Sequence, residues 1–125
     1  RVAVYEEAEP ANIGCFVNLI RLRPAINPHY LWIFLRSRLG WGQIRSLING
    51  VGTPNISFVE IRSLRIPLLP MVEQVQYEEE YVEQVRALHR VSDENPGARP
   101  LAEQRFQRIV CRLDERLLGS ANAPI

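Results

Sequence analysis

The sequence predicts an α+β chain, with a small partial domain of short strands and helices followed by an antiparallel hairpin of two long helices. Three observations predict it. Segments with strand character lie at 2–5, at 16–23 and at about 64–69. Two helix-start signatures, Asn27-Pro28 and Ser57 to Glu60, fall between them. Beyond Pro70 the apolar residues change to helical spacing over two long stretches. The expected organisation is a globular part over 1–69, a helical hairpin over 70–118 and a tail over 119–125.

Each element has a local reason. Arg1-Val2-Ala3-Val4-Tyr5 reads as a strand, and the polar, Pro-containing stretch from Glu6 to Gly14 as a loop. Phe16 to Arg23 ends in an apolar/Arg alternation that Pro24 stops. Asn27 is a good N-cap, and Pro28 suits the first helical position because its missing N–H would be unpaired there anyway. Leu31, Phe34, Leu35 and Leu39 then form one apolar face, with Gly40 as the expected stop. A second short helix is expected through Ile44, Leu47 and Ile48. Ser57 and Glu60 are spaced as a capping box, with Ile56 and Ile61 as its hydrophobic staple.

The hairpin follows. Pro70 opens a helix to about residue 93 with a narrow stripe of Val75, Val82, Val85 and Leu88, while Glu78, Glu79 and Glu80 form a solvated face. Asn95-Pro96-Gly97 breaks it. Pro100 opens a last helix with a stripe of Ala102, Phe106, Ile109, Leu113 and Leu117. The stripes have two readings: they pack on each other, or Val75, Val82, Val85, Phe106, Ile109 and Leu113 offer a surface to partner helices, a second copy of the chain included.

Composition narrows the function. The 125 residues suit one domain, and the abrupt strand-like start leads to the expectation that the sequence begins inside a longer protein. No apolar run approaches the roughly 20 residues of a membrane span, and the two cysteines in unlike contexts lead to the expectation of a cytoplasmic protein. Cys15 and Cys111 form no CxxC pair and read as reduced thiols; His29 and His89 lie far apart, which gives a metal site little support. Every basic side chain is Arg; the chain has no Lys. Arg makes planar, bidentate contacts with phosphate and guanine. Before residue 66 the arginines outnumber the acids, whereas residues 66–98 are acidic. This split suggests one part near phosphates and one away from them.

Catalytic constellations are missing from the sequence: no P-loop, GxGxxG after a strand, HExxH or GxSxG occurs. The expected role is therefore non-catalytic, with no catalytic residue, no metal and no cofactor bound by this chain. Two features have chemistry suited to DNA. Arg36, Arg38 and Arg45 lie on polar helix faces within reach of phosphates. Between them and Ser57 runs a loop in which Gly50 and Gly52 allow close backbone approach, while Asn49, Thr53 and Asn55 can exchange hydrogen bonds with base edges. The plainer readings stand beside these: solvated charges, an Asn-Gly turn, and an Asn leading into the Ser57 cap. Trp32 and Trp41 read as packing residues.

The ordered motifs resemble a known family. Ile20-Arg21-Leu22, Pro28-His29-Tyr30-Leu31 with Leu35-Arg36-Ser37, Gly52 through Ser57, and Ile66-Pro67-Leu68-Leu69-Pro70-Met71-Val72-Glu73-Gln74 resemble, in order, the C-terminal half of a target recognition domain and the start of its spacer helix. The family is the specificity subunit of type I restriction-modification enzymes. Leu69 stands where the family has the first Pro of a pair. The resemblance implies sequence-specific recognition of one half of a bipartite site in double-stranded DNA. It also implies spacer helices that dock methyltransferase and restriction (nuclease) subunits, which use S-adenosylmethionine, ATP and Mg. Related recognition domains also occur fused to catalytic domains in single-chain enzymes, and a purely protein-binding helical module is the other expectation the stripes allow.

Overall fold

In the computed structural model, which describes residues 1–15, 17–48 and 56–119, the chain is built around one short helix that is apolar on nearly every side. This helix, α1 (Pro28–Arg36), buries every residue from His29 to Leu35. A helix apolar all round must be covered all round. It is packed against α2 (Arg38–Leu47), α4 (Met71–Gln84) and α6 (Ala98–Gly119), with α3 (Phe58–Arg62) and α5 (Arg86–Val91) completing the set. One core results, drawing Tyr30, Ile33 and Phe34 from one side of position 69/70 and Tyr77, Tyr81, Phe106, Val110 and Leu113 from the other.

The expected strands do not form, and the described residues are helical with no sheet, so the α+β expectation is replaced by an all-helical one. A strand exists only where its N–H and C=O groups meet a neighbouring ladder. The segments at 2–5, 17–23 and 64–69 (Phe16 lies outside the described residues) do not pair with one another. Their backbone bonds are local turns, such as Val17 N–H to Gly14 O at 3.1 Å and Leu69 N–H to Pro67 O at 3.1 Å. They run as extended straps instead. Val4, Leu22, Ile66 and Leu69 rest on the core, while Val17, Leu19 and Ile20 stay exposed. At Arg65 a side chain supplies the missing rung: its N–H donates to Gln43 Oε1 (2.7 Å) and its C=O accepts from Gln43 Nε2 (2.8 Å).

The helix starts follow the local code. Asn27 Oδ1 accepts from Tyr30 N–H, with Pro28 behind it, and Ser57 Oγ accepts from Glu60 N–H. The Glu60 carboxylate answers the Ser57 hydroxyl at 3.0 Å. The end of α1 differs from expectation. It stops at Arg36, because the fully buried Ser37 closes one helix and opens the next. Its N–H and hydroxyl both donate to Phe34 O (2.9 and 2.5 Å), and its Oγ accepts from Gly40 N–H (3.2 Å). Gly40 is thus no stop; it lies in the first turn of α2, where the backbone of α1 leaves no room for a side chain. A Cβ there would sit 2.0 Å from Phe34 O. Leu39 falls on α2, exposed, and not on the α1 face.

The long helix expected to 93 is two. Val85, buried, departs from helical angles (φ −123°, ψ −41°), and Arg105 Nη1 donates to Gln84 O at 3.1 Å, taking a carbonyl that a continuous helix would keep. The buried face of α4 is also not the valine stripe but Gln74, Tyr77 and Tyr81, continued by Val85; Val82 is exposed. α4 and α6 run antiparallel, as expected, since Gln84 meets Arg105, Glu80 meets Arg112 and Glu73 meets Arg116. The glutamates are accordingly less solvated than the sequence suggested. Only Glu79 of Glu78-Glu79-Glu80 is fully exposed.

Two glycines of α2 should respond with opposite signs. Gly40→Ala must push apart the backbones of α1 and α2 and should lower stability by about 1–3 kcal/mol. At Gly42 an added methyl would meet nothing within 4 Å, so Gly42→Ala should raise stability by about 0.5–1 kcal/mol. Urea melts of the two variants check this; equal effects would reject the close approach.

Tyr30 gives a pH signature. Burial, reinforced by Tyr77 and Glu73, pushes its phenol up to about 12, and the hydroxyl donates to Pro67 O at 2.7 Å. A raised folded value stabilises the fold fully below the unfolded value near 10 and loses that contribution as pH climbs from 10 towards 12. Tyr30→Phe should cost about 1–2 kcal/mol at neutral pH and flatten the alkaline limb of the stability profile. An unchanged limb would show that Tyr30 ionises freely in the fold.

Candidate nucleic-acid interface

α2 has three distinct sides. Gly40 and Ile44 are buried, with Leu47 half-buried, and face α1. Leu39 and Gln43 face the strap at 65–67. Arg38, Trp41 and Arg45, spaced three and four residues apart, form the outward stripe and are all exposed. The two guanidinium-bearing positions are two turns apart, about 10 Å along the axis. Trp41, 46% exposed, is on this stripe and not in the core; Trp32 is the packing tryptophan, 4.8 Å from Phe106 and 5.0 Å from Tyr81 between ring centres.

The expected DNA-facing arginines therefore separate. Arg38 and Arg45 share one side of a helix that carries no acid in its sequence. Arg38 is anchored by its backbone alone, its N–H donating to Asp114 Oδ1 at 2.8 Å. Arg36 turns to α6, where it pairs with Glu103 at 3.0 Å and lies over the Phe106 ring at 5.0 Å. Asn49, Gly50, Gly52, Thr53 and Asn55 lie outside the described residues. The sequence reading missed Arg65 as a site residue; the Gln43 clamp brings its backbone against α2 and leaves its side chain exposed. Nothing local signalled that clamp, because its two ends are 22 positions apart.

The pairing state of the arginines divides the chain. Among the described residues beyond 65, Arg86, Arg99, Arg112 and Arg116 have carboxylate partners and Arg105 holds the Gln84 carbonyl, while Arg90 and Arg108 are in no ion pair. Of the described residues before 66, only Arg36 has one; Arg1, Arg21, Arg23, Arg38, Arg45, Arg62 and Arg65 are exposed, with no ion pair. An unpaired surface guanidinium keeps its donors for a ligand.

The expected partner-binding residues also separate. Val85, Phe106, Ile109 and Leu113 are buried inside the chain, so those stripes pack on each other; Val75 is half-buried and Val82 exposed.

Behind the α2 surface lies a polar network that fixes α1. Gln74, 1% exposed, accepts from Asn27 N–H at Oε1 (2.9 Å) and donates from Nε2 to Ala25 O (3.1 Å) and Leu69 O (2.8 Å). One turn on, Glu78 accepts from Asn27 Nδ2 and lies 2.9 Å from His29 Nδ1; His29 Nε2 lies 2.9 Å from Glu6, which also pairs with Arg86. Each charged member of this chain of contacts has a partner, so the arrangement locks the N-terminal strap, α1, α4 and α5 together. Beside it, burial holds the His89 imidazole below its ordinary range and the Tyr81 phenol above its own, with Tyr81 Oη 3.1 Å from His89 Nδ1. Among the described residues no cluster of three or more His, Cys, Asp or Glu is placed to hold a metal ion, and no helix is long and apolar enough to cross a membrane. Cys15 and Cys111 are both exposed and unpaired with each other.

No family model, curated protein or solved structure matches the chain.

Gln74→Leu keeps the volume and removes three backbone partners. It should cost about 2–4 kcal/mol in urea unfolding, since each stranded buried group costs about 1–3 kcal/mol. A loss under about 0.5 kcal/mol would show that water replaces the amide without penalty.

Proposed function

We propose that the chain is a DNA-recognition module of restriction-modification type, non-catalytic in itself, that engages double-stranded DNA through α2 and the segments flanking it. The observation that carries this reading is that, among the described residues, seven of the eight arginines up to residue 65 have no ion pair, whereas four of the seven beyond it do. Arg38 and Arg45 meet phosphates, and Arg65 extends the cationic surface at the edge of α2. The resemblance adds the partner class: methyltransferase and restriction subunits would dock on the outer faces of α4 and α6, where Val82 remains accessible. A second reading, a helical protein-interaction module with no DNA role, is favoured by the exposure of Val72 and Val82 on α4.

Fluorescence anisotropy with a labelled mixed-sequence duplex separates the two. Affinity should fall steeply between about 50 and 200 mM salt, and the double variant Arg38→Gln, Arg45→Gln should lower the slope of log K against log salt by about 2. Binding that is absent, or indifferent to salt, would leave only the protein-interaction reading.

A further inference from the structure

His89, half-buried on α5, sits among rings from three other helices. Its ring centre lies 5.8 Å from that of Trp32 on α1, 5.7 Å from Tyr81 on α4 and 6.0 Å from Phe106 on α6. Its Nδ1 lies 3.1 Å from Tyr81 Oη. Tyr81 is buried, burial raises its phenol, and among the described residues its hydroxyl has no hydrogen-bond partner but His89 Nδ1. The phenol therefore keeps its proton and donates it. Nδ1 is then the bare nitrogen of a neutral imidazole whose proton sits on Nε2.

A second proton breaks this arrangement. Nδ1 becomes a donor, and the buried Tyr81 O–H is left without an acceptor. The new charge also lies against ring surface in place of water. The charged groups facing it are divided. Arg36 of α1, whose guanidinium lies over Phe106 at 5.0 Å, opposes the charge, while Glu103 of α6 and Glu6 of the N-terminal strap favour it. Arg86 and Arg90 flank it on α5 itself, and His29 of α1 faces the same Tyr81 ring at 5.3 Å. Burial is the largest influence, and it holds His89 below its ordinary value.

α5 is the element such a charge can release. It has six residues, none of them buried, and no side-chain cap at its start, where Val85 departs from helical angles. Besides His89 it is tied by half-buried Leu88 and by the Arg86–Glu6 pair, whereas α1, α4 and α6 pack on one another without it. We propose that His89 is an acid-sensitive latch: on taking a proton it frees α5 from Trp32, Tyr81 and Phe106, while α1, α4 and α6 stay packed. A folded value below the unfolded one keeps the latch closed above about 6.5 and opens it as pH falls from there.

Two readouts on the full chain test this in a Trp41→Phe background, where Trp32 is the one tryptophan left. The His89 ring is titrated by NMR, and Trp32 emission is followed over the same pH range. Both should share a midpoint below about 6.5. Trp32 should shift to longer wavelength as water reaches the indole, while far-ultraviolet circular dichroism keeps most of its helical signal. His89→Phe should remove the emission change. Tyr81→Phe, which has no O–H to strand, should move the midpoint upward. A midpoint at or above the ordinary histidine value shows that the rings hold the imidazolium, and overturns the latch. So does a His89 titration that leaves Trp32 unchanged, an emission change that persists in His89→Phe, or loss of the whole helical signal at the same midpoint.

Discussion

The buried amide of Gln74 is the constraint on which the rest of the structure depends. One side chain on the first turn of α4 satisfies backbone groups just before α1 (Ala25, Asn27) and just before its own helix (Leu69). Buried backbone polar groups without partners are costly, so the starts of α1 and α4 cannot separate without exposing them. Glu78, one turn later, repeats the link through Asn27 and His29, and Glu6 carries it on to Arg86 of α5. A single polar line thus runs from α4 across the start of α1 to the N-terminal strap and back to α5. It places α1 so that its apolar surface is covered on every side, and α2 leaves from the far end of α1 with its direction set by Ser37 and Gly40.

Charge follows the same division. The acidic character of 66–98 suggested a solvated face, yet Glu73 and Glu80 meet Arg116 and Arg112 across the α4–α6 seam, and Arg112 also lies over the Tyr77 ring at 5.5 Å. Pairs this exposed contribute little to stability each. They leave Arg99, Arg112 and Arg116 of α6 each with a carboxylate neighbour, whereas Arg38 and Arg45 of α2 have no ion pair.

What the sequence made legible was whatever depends on the next few residues. The caps at Asn27 and Ser57, the Pro28 position and the break near 95–97 are local chemistry, and they stand. Strand character was legible too, but a strand is a relation between two segments, and Val17 to Arg23 has no ladder partner among the described residues. The α4 face was misread because amphipathic residues, Gln74, Tyr77 and Tyr81, form it; their burial depends on polar partners supplied from elsewhere in the chain. Arg36 shows the same limit within the candidate site. It shares a polar helical character with Arg38, but its acceptor, Glu103, is 67 positions away, and no local pattern announces it.

Two of the segments that carry the family resemblance, 28–37 and 66–74, meet in space. Asn27 contacts Gln74, Tyr30 donates to Pro67 O, and Leu31, Leu35 and Ser37 are buried between them and α2. Both segments have packing or capping reasons to be there. A scaffold so fully occupied with holding α1 has few side chains left for a ligand. On α2 and the strap beside it, the side chains left outward include Arg38, Leu39, Trp41, Arg45 and Arg65. Arg38, Leu39 and Arg45 are exposed, so changes there should disturb the fold less than changes at Asn27, Ser37 or Gln74, whose side chains hold backbone groups of other segments or of the α1–α2 corner.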